Sequence, residues 1–201
     1  QEDSLKEGNI RNLKSIVLQP RFLQAITAAA FAYAVMSFLM TATPLSMHVM
    51  ENMSLKETGL VLQFHVVAMF LPSLITGNLI KKYGHSAIIY GGVLFFFITV
   101  LLSLFEQTYL NYMLSLIFLG LGWNFLFISG TSLVVLTYNK EEKFKVQGIN
   151  DLIVFSTMAL ASLSAGILLN SIGWKMMNII CIPFLILIIL VSFVADKKSV
   201  S

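Results

Sequence analysis

The sequence predicts an all-α membrane protein of six transmembrane helices, arranged as two inverted three-helix repeats. Three observations predict it. The chain is 57% apolar and only 11% charged, where an ordinary soluble domain carries about 25% charged residues. Six runs reach the roughly 20 mostly apolar residues that a spanning helix needs. The basic residues fall almost entirely on alternate connections between those runs. Such a composition cannot cover a water-facing surface, which excludes a soluble globular enzyme. High hydropathy with a net charge of +3 excludes a disordered chain. The single cysteine, Cys181, excludes an internal disulfide framework and a Cys-rich metal site. A pI near 9.0 does not point to nucleic acid, because the basic residues lie between apolar runs and form no single patch.

The elements follow in order. Residues 1–20 are a polar lead-in, read as a cytoplasmic linker, and the first residue is Gln1 rather than Met, as expected of a processed chain or a fragment. The first span, Phe22–Met47, carries a stripe of Ala30, Tyr33, Ala34, Ser37, Thr41 and Pro44 at helical spacing. The second, Glu57–Ile80, carries His65, Met69, Pro72 and Thr76 on one stripe and stops at Lys81-Lys82. The third, Ser86–Phe105, has only Thr99 and Ser103 in its apolar body and reads as lipid-facing. The fourth, Tyr109–Thr137, groups Gly120, Trp123, Asn124, Phe127 and Thr131. The loop Lys140-Glu141-Glu142-Lys143 reads as a solvated turn. The fifth span, Val146–Asn170, groups Gln147, Asp151, Met158 and Ser162. The sixth, Gly173–Ala195, has little polar content beyond Asn178 and Ser192, so it too reads as lipid-facing, and 197–201 form a short tail. Helices are the natural spanning form here, because the runs are too long for barrel strands of about 10 residues and backbone in lipid must satisfy itself.

With the N-terminus inside, Lys6, Arg11, Lys14, Arg21, Lys81, Lys82, Lys140, Lys143, Lys145, Lys197 and Lys198 lie inside, and Lys56 and Lys175 outside. That division of the 13 basic residues places both termini in the cytoplasm. An offset of 89 residues aligns three helices on three (21–108 on 109–196). It matches Ser73-Leu74-x-x-Gly77-x-Leu79-x4-Gly84 with Ser162-Leu163-x-x-Gly166-x-Leu168-x4-Gly173. Because the two copies run in opposite directions across the membrane, they read as the inverted repeats of a secondary transporter. Small-residue helix packing produces the same pattern without a repeat.

The stripes place Ser37, Met69, Trp123, Asn124 and Met158 near mid-membrane, with Tyr33, His65 and Phe127 close by. That surface is aromatic and soft, and it suits an amphipathic or aromatic organic solute better than a bare ion. The same residues also suit a packed bundle interior. Two ionisable groups lie within the spans. His65 either carries a coupling proton or is a neutral side chain bonded to a neighbour. Asp151 either acts as a gate or is a helix-start charge favoured by the dipole. No catalytic constellation is present: Ser129-Gly130 has Phe127 where an intramembrane serine protease needs glycine, paired deep aspartates are missing, and there is no Walker loop. His48, His65 and His85 lack metal-ligand spacing, and no cofactor is implied.

Gly77-Asn78-Leu79-Ile80-Lys81-Lys82-Tyr83-Gly84-His85 resembles the Gly-x-Leu-x-Asp-Arg-x-Gly-Arg motif of the major facilitator superfamily, with Lys81 in place of the acid and His85 in place of the last arginine. In that family the motif joins helices 2 and 3, and in a weaker copy helices 8 and 9. Met40-Thr41-Ala42-Thr43-Pro44-Leu45, Leu119-Gly120-Leu121-Gly122-Trp123-Asn124-Phe125 and Gln147-Gly148-Ile149-Asn150-Asp151 are similar to a subgroup of bacterial permeases. The resemblance runs from Pro20 onward. It implies that the six spans are helices 7 to 12, half of a twelve-helix major facilitator fold, in the inner membrane. The partners implied are a small-molecule solute, the lipid bilayer and the missing N-terminal six-helix half. Helices 7, 8, 10 and 11 would line the pathway, with 9 and 12 facing lipid. Gly77, Lys81, Lys82 and Gly84 would be the motif-loop residues. The subgroup includes permeases proposed for vitamin-like solutes such as riboflavin, and the resemblance does not assign the solute. The implied function is secondary active transport by alternating access; a coupling proton, where one is used, would pass through His65, Asp151 or residues of the absent half. A homodimeric half-size transporter and a six-helix scaffold subunit are the competing readings.

Overall fold

The computed structural model describes residues 11–200, with side chains to Lys198. Lys6, the first ten residues of the expected linker and Ser201 of the tail lie outside the described residues.

The helices follow the apolar runs, and their breaks follow proline, glycine and caps. Helix α1, Leu13–Val17, is a short turn in which the Asn12 side chain accepts from the Lys14 amide and Ile16 is the buried anchor. Helix α2, Pro20–Pro44, begins with proline in the first turn, where an amide proton is not needed, and runs on into a π-helical turn, Leu45–Met50. Helix α3, Leu55–Phe70, opens on a capping box in which the Ser54 hydroxyl accepts from the Glu57 amide and the Glu57 carboxylate accepts from the Ser54 amide. Pro72 has no amide proton to continue the ladder, and after it α4, Ser73–Tyr83, completes the span. Then come α5, His85–Ser103, and α6, Tyr109–Val135. A 3-10 turn, Lys140–Glu142, leads into α7, Lys143–Val200. Inside α7 only Gly173 is non-helical, at φ 73° and ψ 170°. It divides α7 into a first arm, 143–172, and a second arm, 174–200. Among the described residues, five helical stretches are long and apolar enough to cross a membrane, and α7, counted once, is the last of them. Its two arms correspond to the fifth and sixth expected spans.

Both abrupt corners are made by glycine. Gly84, between α4 and α5, has φ 83° and ψ 162°, close to the values at Gly173. Side chains bearing a Cβ avoid this region of backbone space, so each glycine lets one helix end and the next begin within a single residue.

Helix α2 packs against α6 and most extensively against α7; α6 also packs on α3 and α5, and α5 meets α7. Side-chain bonds show which loops share an end. Arg11 reaches Glu142 and the Thr137 carbonyl, and Arg21 reaches Asp196 and Ser86. At the opposite end the Ser46 and Tyr112 hydroxyls lie 2.6 Å apart, and the Tyr112 ring is 5.2 Å from Trp174. The described basic residues other than Lys56 and Lys175 therefore gather at one end of the bundle. Within the apolar bodies of α5 and the second arm, Thr99, Ser103, Asn178 and Ser192 are buried, leaving outward faces rich in leucine, isoleucine and phenylalanine.

The loop expected as a solvated turn is different at one residue. Glu142 has a side chain only 2% exposed and is held by Arg11 at 2.7 Å. Arg11 donates to it from its backbone amide, Nε and Nη2, and the Asn139 amide donates as well. Two glutamates in a row look alike in sequence; the partner that draws one of them inward is 131 residues away.

Candidate functional site

Five aromatic rings from four helices form one surface. Tyr33 of α2 stands at its centre, edge-on to Trp123 at 5.3 Å and to Phe127 at 4.9 Å. Trp123 and Phe127, one helical turn apart on α6, stack at 4.9 Å with planes 14° apart. Phe70, the last residue of α3, lies 5.7 Å from Trp123, and Phe155 of the first α7 arm lies 6.0 Å from Tyr33. Exposure is graded across the surface. Trp123 is buried, Tyr33 and Phe127 are half-buried, and Phe70 and Phe155 are 58% and 51% exposed. Edge-to-face and stacked pairs each contribute about 0.5–1.5 kcal/mol beyond area burial, so the rings hold one another in place without a hydrogen bond. Ser37 and Met158, both half-buried, continue the stripes of Tyr33 and Phe155. Further along the same two helices the Thr41 and Ser162 hydroxyls meet at 3.0 Å.

The remaining residues singled out from the sequence lie behind or beside this surface. His65 and Met69 are buried, and so is Thr76 of the same stripe. That stripe packs on α6, where Gly120 permits the contact: a Cβ there would meet the His65 carbonyl oxygen at 2.7 Å. His65 Nδ1 is 2.7 Å from the Leu116 carbonyl, and its Nε2 is buried without a hydrogen-bond partner. Asn124 is fully buried, and its amide is taken up by the break between α3 and α4. Its Nδ2 donates to the Met69 carbonyl at 2.6 Å and to the Ser73 hydroxyl at 2.7 Å, and its Oδ1 accepts from Thr76. Asn124 thus secures the interrupted ladder at Pro72 and sets the position of Phe70 against Trp123. Asp151 is exposed on the stripe of Phe155 and Met158, toward the end where the basic residues gather, and accepts from Asn150 at 3.0 Å. In the motif loop Gly77, Lys81 and Lys82 are exposed, Gly84 forms the corner, and Lys82 Nζ sits 4.9 Å over the Tyr83 ring.

Two aromatic contributors were missed in the sequence. Phe155 falls between Asp151 and Met158 at helical spacing, so periodicity alone would have found it. Phe70 carried no such signal, because its position depends on where Pro72 ends α3. A polar cluster at the basic end was also not anticipated: Arg21 donates to Gln24 and Asp196, and Asp196 also accepts from Ser86 and Tyr90. It ties α2, α5 and the second arm together. Among the described residues, no group of three His, Cys, Asp or Glu is placed to hold a metal ion.

The sequence model of the Major Facilitator Superfamily matches residues 16–201. The chain is 39% identical over 179 residues to the riboflavin transporter RfnT of Brucella anthropi, a match covering 89% of this chain and 45% of that protein. It is 30% identical over 156 residues to the uncharacterized MFS-type transporter YdeG of Bacillus subtilis, covering 77% of this chain and 36% of that protein. A second uncharacterized MFS-type transporter of Bacillus subtilis, YddS, is 30% identical over 151 residues, covering 74% and 34%. The chain therefore spans less than half the length of these curated relatives. They are named as transporters, not enzymes.

Proposed function

Because the chain belongs to the major facilitator superfamily, a family of multi-pass membrane transporters, we propose that it is the C-terminal half of a twelve-helix secondary transporter. It carries a small aromatic or amphipathic organic solute by alternating access, in which two halves rock about a site near the membrane midplane. The observation that carries this reading is the five-ring surface built from α2, α3, α6 and the first α7 arm. These helices correspond to family helices 7, 8, 10 and 11. Aromatic, graded in exposure and poor in hydrogen-bonding groups, the surface offers ring edges and faces suited to a planar heteroaromatic ring. A flavin is such a ring, and the relative at 39% identity is named for riboflavin. The N-terminal half supplies the opposite wall and the groups that read the solute's polar edge.

Three finer assignments belong to the same reading. The two halves of the bundle, 21–108 and 109–196, are inverted repeats, supported by matching glycine corners at the offset of 89 residues (173 − 84 = 89). The end where the basic residues gather is cytoplasmic, following the positive-inside rule, and the membrane is the cell membrane. Asp151, exposed at that end, meets the other half as a gate, while His65, with Nε2 unpartnered, carries the coupling proton.

The test is flavin binding to the full-length protein in lipid vesicles, read by quenching of riboflavin fluorescence. Binding that saturates, and that weakens in Tyr33→Ala and Phe155→Ala but not in a variant of exposed Leu190, supports the site. Binding unaffected by either aromatic replacement removes it.

A further inference from the structure

A cavity of about 410 Å³ lies between α2 and both arms of α7, away from the five rings. Its floor is Val35, Phe38 and Cys181, which are 4%, 7% and 2% exposed. Its mouth is lined by Leu160, Ile180 and Phe184, which are 70%, 39% and 40% exposed. Volumes of roughly 300–1,000 Å³ are those of small-molecule sites. Most such sites carry a few polar groups that orient the ligand, and this one offers no free hydrogen-bond donor. Its three polar side chains are all turned back on their own helix: Thr157 donates to the Ile153 carbonyl, Ser164 to the Ala161 carbonyl and Cys181 to the Met177 carbonyl. The lining is a poor host for ordered water, which needs about 2–4 polar partners.

We propose that this cavity binds one acyl chain of a membrane lipid, entering sideways between the two arms of α7. The depth fits: residues 31–38 of α2 and 180–184 of the second arm lie well inside their spans, at the level of hydrocarbon. The mouth is continuous with the apolar outer surface of α7, where Leu163, Ile167, Ile186 and Leu187 are exposed. The chemistry fits, because a saturated or monounsaturated chain asks for no hydrogen bond. The shape fits as well. Ala34 and Ala161 leave the space that Phe31 and Phe184, in ring contact at 5.1 Å, border on one side. The bound chain acts as a replaceable packing element between α2 and α7, the most extensive helix contact in the bundle. This assignment stands apart from the solute site and holds whatever solute is carried.

The experiment uses the full-length protein in vesicles containing phosphatidylglycerol with a mid-chain diazirine, illuminated and mapped by mass spectrometry. Floor residues are the readout, because lipid on the outer surface does not reach them. Adducts are expected on Val35, Phe38 or Cys181 as well as on Leu163 and Ile186. In Ala161→Phe, or in Ala34→Leu, floor adducts should fall about tenfold, the loss of roughly two buried methylenes, while those on Leu163 and Ile186 persist. Adducts confined to the outer residues overturn the proposal, whether ordinary surface lipid or the other half of the protein covers the mouth. Floor adducts that persist in both filled variants also overturn it. Saturating riboflavin should leave floor adducts unchanged; their loss would reassign the cavity to the solute. If neither variant folds, the unaltered protein decides the matter through the floor and riboflavin measurements.

Discussion

Tyr33 touches Trp123, Phe127 and Phe155, so removing it opens the centre of the aromatic surface. With about 0.5–1.5 kcal/mol for each aromatic contact to a bound ring and 1.4 kcal/mol per factor of ten, Tyr33→Ala should raise the KM for flavin uptake by roughly 3- to 10-fold. Tyr33→Phe should restore most of it, because the hydroxyl makes no hydrogen bond on this surface; initial-rate transport in cells lacking other flavin carriers measures both. Asn124 answers differently. From the sequence it suits either a cavity wall, since its spacing aligns it with Trp123 and Phe127, or a bond to a neighbouring helix. The structure commits its amide to Met69, Ser73 and Thr76. Asn124→Leu strands the Met69 carbonyl in a dry interface, at a cost of about 1–3 kcal/mol. It should therefore lower the thermal midpoint of the purified full-length protein while leaving the KM of the folded fraction nearly unchanged. A normal midpoint with a raised KM would return Asn124 to the binding surface. Tyr33, Trp123 and Phe127 were legible because helical spacing suffices to align them. Phe70 and the partners of Asn124 were not, because both depend on a break whose consequences spread to another helix.

Elements were easier to read than their joins. The spans agree with the observed helices to within about a turn, since apolar length alone fixes them. Pro72 dividing the second span and the single-residue corner at Gly173 are local backbone facts that hydropathy does not register. At Gly84 and Gly173 a Cβ would meet no neighbour within 4 Å, so any cost of substitution there is conformational and not steric crowding. Gly84→Ala and Gly173→Ala should each cost roughly 1–3 kcal/mol, seen as a lower midpoint in thermal unfolding. Equal losses at both would show that the corners are equivalent elements; no loss at either would mean that the corner tolerates another geometry. The linker contact makes a prediction in pH. The guanidinium of Arg11 and the amides of Asn139 and Arg11 hold the Glu142 carboxyl at about 2, well below the usual carboxylate range. Its contribution is present above the unfolded value near 4.5 and is lost as pH falls toward about 2. Hydrogen exchange of α1 amides, referred to the intrinsic rate, should thus accelerate over that interval. Glu142→Gln should show fast exchange already at neutral pH and no step on acidification.

At the scale of the molecule, the exposed half of the aromatic surface is the central fact. Phe70 and Phe155 are 58% and 51% exposed, and Asp151 stands open on the stripe of Phe155. The rings alone would suit lipid, but the carboxylate on the same stripe does not, since a charge on a spanning helix normally faces protein or water. The relatives are more than twice as long as the match, so the economical reading is that the rest of such a protein covers this face. The motif-loop resemblance implies the same missing half, without indicating which side chains would face it. If the face is a contact between halves, Asp151→Asn in the full-length protein should shift the balance between inward- and outward-open states by weakening one closed end. Single cysteines placed at Gln147 and at His48, at opposite ends, report it. The variant should label faster than the parent at Gln147 and more slowly at His48 with a membrane-impermeant maleimide applied to inside-out and right-side-out vesicles respectively. Opposite changes at the two ends distinguish a rocking equilibrium from simple loosening, which would speed both. Unchanged labelling at both positions would leave Asp151 as an exposed surface charge bonded to Asn150, with no part in gating; α7 starts at Lys143, so Asp151 stands more than two turns inside the helix, beyond the reach of its dipole.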